Sequence, residues 1–204
     1  MGKKHREGFT LIELLMLMMV VAITLGLGVP AVSNVLANAR MATAGNDLVA
    51  SLHAARVAAT TRNRTVTLCA SSDWDAAAGT CDADARLLDG WIAFVDDNAD
   101  GVVDATETLL QGHGPLDAGI SGQARSGVDT DPPEWLAFRG DGLLTAPAGT
   151  DPVRNIQLCD ARGNRDTGGG VAAGRWITIS PAGRPAMLDR VEPLQGPANP
   201  LGGC

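Results

Sequence analysis

Residues 96–107 place oxygen-bearing side chains where one hard cation could be held. Asp96, Asn98 and Asp100 stand at positions 1, 3 and 5 of a twelve-residue calcium-loop template, with Gly101 at 6, the Val102 carbonyl at 7, Asp104 at 9 and Glu107 at 12. Oxygens at alternate positions converge on the ion, and the glycine permits the sharp turn. A helix should flank such a loop on each side, yet 91–95 and 108–111 have the composition of strands. The same residues therefore also read as a β-hairpin tip in which Asp, Asn and Gly satisfy turn geometry. Calcium is the only cofactor the sequence suggests, and this loop alone suggests it.

Arginines are the second candidate chemistry. Arg162, Arg165, Arg175 and Arg184 fall near the glycine run 168–170 and the last expected hairpin, where clustered guanidinium groups could contact phosphates. The net charge of −7 argues against a protein whose whole surface binds nucleic acid. It falls to −9 without residues 1–8, which hold three of the positive charges and one of the negative. Solvated arginines on an acidic body are the plainer reading. Nothing supports catalysis: beyond residue 8 the only histidines are His53 and His113, with no nucleophile–base spacing, zinc motif or phosphate-binding loop. Gly168, Gly169 and Gly170 read as a flexible loop, and Arg139-Gly140-Asp141 as a tight turn.

Cys69, Cys81, Cys159 and Cys204 are even in number and lack the spacing of a metal site, which predicts two disulfides formed in an oxidising compartment. Three pairings are open. Cys69 with Cys81 is favoured as a short loop after a strand, leaving Cys159 with Cys204 to tie down the tail.

These groups need elements to position them, and the N-terminus supplies the clearest one. Residues 1–8 are polar and basic. From Phe9 to Val32 the chain is almost uniformly apolar, with Glu13 its only charge. About 20 such residues cross a bilayer as a helix, and basic residues ahead of the span place its start in the cytoplasm. A secretory signal cut near Ala31-Val32-Ser33 would share the charged start, and a plain anchor would share the length. Neither accounts for a carboxylate four residues into the apolar run, where it is expensive and so has a purpose.

Gly8 followed by FTLIELLMLMMVVAI resembles the N-terminal signal of type IV pilins and type II secretion pseudopilins. The resemblance implies that a prepilin peptidase cuts between Gly8 and Phe9 and that Phe9 is N-methylated. It further implies that Glu13 pairs with the N-terminal amine of a neighbouring filament subunit, and that Pro30 bends the helix. Farther on, LCASSDWD, GWIAFVDDNADGVVDATETLL, WLAFRGDGLL, NIQLCDARG and RWITISPAGR resemble, in order, the GspH/FimT group of minor pilins and pseudopilins. This implies a single-pass protein of the bacterial inner membrane, with N-terminus cytoplasmic and head periplasmic, which then enters a pilus or pseudopilus. Its partners would be the peptidase, the membrane and other pilin-like subunits. Members of the pilus branch carry a C-terminal Gly-Arg-x-Arg associated with DNA uptake. Here that stretch is Gly183-Arg184-Pro185-Ala186, which lacks the second arginine.

The expected fold is α+β: a long N-terminal hydrophobic helix packed on a mainly antiparallel β head of two small sheets. The expected parts are a leader 1–8, a transmembrane and assembly helix 9–61, and a head 62–204. Met41, Gly45, Leu48, Leu52, Ala55 and Ala59 recur at helical spacing and form the stripe that faces the head, with Asn46, Asp47, His53 and Arg56 opposite. Strands are predicted at 65–69, 91–95, 108–111, 134–139, 155–160, 175–180 and 186–191. Long loops are predicted near 112–133 and 161–174.

Overall fold

The structure is a computed structural model that describes residues 8–126, 134–147 and 151–204. Residues 1–7 of the expected leader lie outside it, as do the side chains of 28–31, Pro30 among them. The chain divides into two compact units, Met1–Ala39 and Arg40–Cys204.

Helix α1, Leu11–Arg62, runs through both. Thr10 starts it: its carbonyl accepts the Leu14 N–H at 3.2 Å and its hydroxyl the Glu13 N–H at 3.3 Å, which satisfies amides that have no partner in the first turn. Asn63 ends it with φ +51, and the Arg64 N–H returns to the Ala59 carbonyl at 3.2 Å, the closure of a Schellman motif. In the first unit the large apolar side chains that are described are exposed, Phe9 at 77%. One stretch of α1 is long and apolar enough to cross a bilayer.

In the second unit all six residues of the expected stripe are buried. They enter a core shared by two antiparallel sheets. The five-stranded sheet has the order β3-β2-β1-β5-β6, from Val66–Ala70 (β1), Trp91–Val95 (β2), Thr108–His113 (β3), Trp135–Phe138 (β5) and Leu144–Thr145 (β6). The four-stranded sheet has the order β4-β7-β8-β9, from Ser121–Ser126 (β4), Val153–Cys159 (β7), Val171–Ile179 (β8) and Pro185–Arg190 (β9).

Strand alternation decides which residues meet α1. Trp91, Ala93 and Val95 face the helix with Leu68, Leu136 and Ile177, while Ile92 and Phe94 point the other way into a smaller cluster with Cys69. On the far face of the second sheet, Trp176 packs with Leu194 of α2, Val191–Gln195. Disulfides join Cys69 to Cys81 and Cys159 to Cys204.

Three expectations change. The stretch 112–133 holds a strand, because β4 pairs with β7 from Ser121↔Cys159 to Ser126↔Val153. The loop expected over 161–174 is shortened by β8, which starts at Val171. Arg56, placed on the solvated face, in fact reaches across the head. Its Nε donates to the Gly142 carbonyl at 3.0 Å and its Nη2 to the Ala182 carbonyl at 3.2 Å.

Candidate functional site

The first turn of α1 holds the residues most suited to intermolecular work. Glu13 lies exposed in that turn, where the positive end of the helix dipole favours a carboxylate. Among the described residues no cation lies within ion-pair distance of it. Gly8 has open space around it, with nothing within 4 Å of where a Cβ would stand. A lone carboxylate on an apolar helix surface must be neutralised, by a cation or by a proton, before that surface can leave water.

The acidic loop is a connection between β2 and β3, flanked by strands on both sides. Asp96 is fully buried; its Oδ2 accepts the Thr67 hydroxyl at 2.7 Å and the Gly101 N–H at 3.1 Å, and its Oδ1 the Asp100 N–H at 3.2 Å. Glu107 accepts the N–H groups of Asp97 at 2.7 Å and Asp104 at 3.0 Å. The Asn98 amide bridges Asp100 and Asp104 at 2.8 and 3.2 Å. The carboxylates thus stabilise the loop's own backbone. Val102 is an exposed side chain, and Ala99 takes φ +58. Among the described residues, no group of three or more His, Cys, Asp or Glu is placed to hold a metal ion.

The four arginines do not form one patch. Arg175 is 7% exposed, and its Nη1 donates to the carbonyls of Ala172 at 2.7 Å and Gly174 at 2.8 Å. Burial pushes this guanidinium below its ordinary pKa. Arg162 is bound to Asp160, with Nη2 at 2.6 Å from Oδ2 and Nε at 3.0 Å from the same oxygen. Burial alone would raise the Asp160 carboxyl, but the hydrogen bonds and charge of Arg162 outweigh it and hold it below the usual range. Arg165 and Arg184 are exposed. Gly183 beside Arg184 has φ +69, and a Cβ there would stand 2.2 Å from the Gly142 carbonyl oxygen. The glycine of this motif is therefore needed where two turns meet.

The family follows from a comparison of the sequence. A profile described as type II transport protein GspH matches residues 44–183. The chain belongs to the GspH family. GspH-family proteins are pilin-like structural subunits, so this chain is a minor pilin or pseudopilin that assembles with other such subunits in a filament, and it is not an enzyme. Two crystal structures of the type IV minor pilin FimU of Pseudomonas aeruginosa are similar to it. One is 23% identical, covers 72% of this chain and 87% of that one, and has a TM-score of 0.47. The other is 21% identical, covers 72% and 90%, and has a TM-score of 0.45. No curated protein matches the chain.

For a GspH-family head, one feature invisible in the sequence is the buried acid Glu134, only 3% exposed. Its Oε2 accepts the Leu87 N–H at 2.8 Å, and Arg86 lies 3.5 Å from its Oε1. Burial raises its pKa, and the Leu87 bond and Arg86 offset this in part. A raised native pKa means that the native state holds the proton more tightly. The site's contribution to stability is therefore fully present below the ordinary value of 4.5 and is lost as pH rises through the raised one. Glu134→Gln keeps an acceptor for Leu87 and has no charge to bury, so it should gain on the wild type across that window. Urea unfolding at successive pH values checks this; parallel curves for the two proteins would contradict it.

Proposed function

We propose that the chain is made as a prepilin, cut after Gly8 by a prepilin peptidase, methylated on Phe9 and built into a filament through α1. In this reading residues 1–8 are the leader, 9–61 the membrane and assembly helix, and 62–204 the head. The helix spans the inner membrane once, with N-terminus cytoplasmic and head periplasmic, before the subunit moves into a type IV pilus or secretion pseudopilus. The observation that carries the reading is the exposed apolar run of α1 over residues 11–27, in which Glu13, at the fifth position of the cut chain, is the single carboxylate. Burying such a surface among like helices removes it from water, and the new amine at Phe9 supplies a cation for Glu13, which has none among the described residues. Co-expression with a prepilin peptidase tests it: the chain shortens by its leader, and a Gly8→Arg variant stays at full length. Equal processing of both would overturn the cleavage site.

DNA capture is the weaker alternative. It would rest on Arg165 and Arg184, since Arg162 and Arg175 are engaged within the head, and single exposed arginines give little phosphate affinity. Calcium is likewise not required by the loop, whose carboxylates already have donors. Titration with calcium is expected to leave the unfolding midpoint of the protein unchanged. A rise of about 3 °C or more at saturation would instead assign the loop as a calcium site.

A further inference from the structure

The two disulfides stand in opposite surroundings. Cys69 is 1% exposed and, with its half-buried partner Cys81, packs with Ile92, Phe94 and Trp135. The small cavity beside it, about 260 Å³, is walled largely by apolar groups, Val103 and Trp135 among them. An incoming thiolate would lose its hydration there. Cys159 instead lines a cleft of about 400 Å³ with polar neighbours, Ser121, Gln123 and Asp160 among them. Its partner Cys204 closes a strap, residues 196–204, that follows α2. Asn199, 4% exposed, holds the strap through bonds of 2.8 Å to the Gln157 Oε1 and to the Leu194 carbonyl. The Cys204 N–H donates to the Asn164 Oδ1 at 2.7 Å. No strap residue belongs to the core shared by α1 and the two sheets.

We propose that Cys159–Cys204 is a redox latch, which a dithiol reductant opens ahead of Cys69–Cys81 to free the strap while the core stays folded. The reductant's thiolate attacks the Cys159 Sγ through the polar cleft, and the S–S bond breaks. Cys204 leaves as a thiolate facing the Gln157 amide, whose Nε2 lies 3.5 Å from its sulfur. The reductant's second thiolate then attacks its own sulfur in the mixed disulfide and displaces Cys159. Two electrons pass from the dithiol, which ends as a disulfide, and its two protons pass to Cys159 and Cys204. Cys81 and Cys159 are both half-buried, so it is the solvation of the attacking thiolate in the polar cleft that favours this bond over the one in the apolar cluster.

The test treats the full chain in detergent with graded dithiothreitol, followed by thiol alkylation read by mass spectrometry and by amide exchange. Labelling of Cys159 and Cys204 is expected at least about tenfold faster than that of Cys69 and Cys81. Exchange in 196–204 should rise with that labelling while β1 and β2 stay protected. In the Cys159→Ser/Cys204→Ser double variant the strap should exchange, without reductant, as fast as in the reduced wild type. Labelling of Cys69 and Cys81 first or together with the other pair overturns the proposal. So does a strap that stays protected once Cys159 and Cys204 are labelled, or in the double variant.

Discussion

Glu13→Gln is expected to leave the chain cleaved and inserted but to lower its incorporation into filaments by about a hundredfold or more. The substitution keeps the size and hydrogen-bonding capacity of the side chain and removes only its charge. Glu13 lies exposed in the first turn of α1, among apolar residues that assembly would bury. In that interior the ammonium of a neighbour's Phe9 would have no counter-charge. Removing one partner of a buried pair costs about 3–5 kcal/mol, because the remaining charge is left desolvated and uncompensated. At about 1.4 kcal/mol per factor of ten, this amounts to about two to three and a half orders of magnitude. Immunoblots of sheared filaments against membranes measure it. Incorporation within about twofold of the wild type would show that the carboxylate has no such partner.

The second large effect is on stability. Gly183→Val should cost about 3 kcal/mol or more, since a β-branched residue at φ +69 is strained and its Cβ would press on the Gly142 carbonyl from 2.2 Å. The carbonyl cannot easily retreat. Gly142 itself has φ +79, and its oxygen accepts the Arg56 Nε from α1. One substitution thus disturbs the β8–β9 turn, the β5–β6 turn and the arginine that joins both to the helix. Arg184→Ala, exposed beside it, should change stability by no more than about 0.5 kcal/mol. Urea unfolding of the two variants compares them. A valine variant as stable as the wild type would mean that the two turns do not meet as described.

The contrast between Gly183 and Arg184 shows what the sequence could and could not convey. An almost uniformly apolar run needs no tertiary information to be read, and neither does a helical stripe from Met41 to Ala59. Strand β2 is legible to the residue at 91–95, because aromatic and aliphatic residues on both of its faces are buried. Strand β4 is illegible in the sequence for the opposite reason. Ser121–Ser126 buries only Ala124, and its place at a sheet edge is set by backbone bonds to β7 that leave no mark on side-chain composition. Arg56 could not be assigned from its helical position, because its acceptors lie 86 and 126 residues away. The acidic loop shows a limit of another kind. Its spacing matches a cation template, but the same oxygens cap backbone amides within the loop, and only coordinates distinguish the two uses.

The most direct measurement of the central claim is the N-terminal peptide of the protein isolated from cells that carry the filament machinery. Mass spectrometry should find a chain beginning at Phe9 with one added methyl group on its amine. A chain beginning at Met1, or one beginning near Ser33 after the loss of Glu13 and the apolar helix, would contradict it.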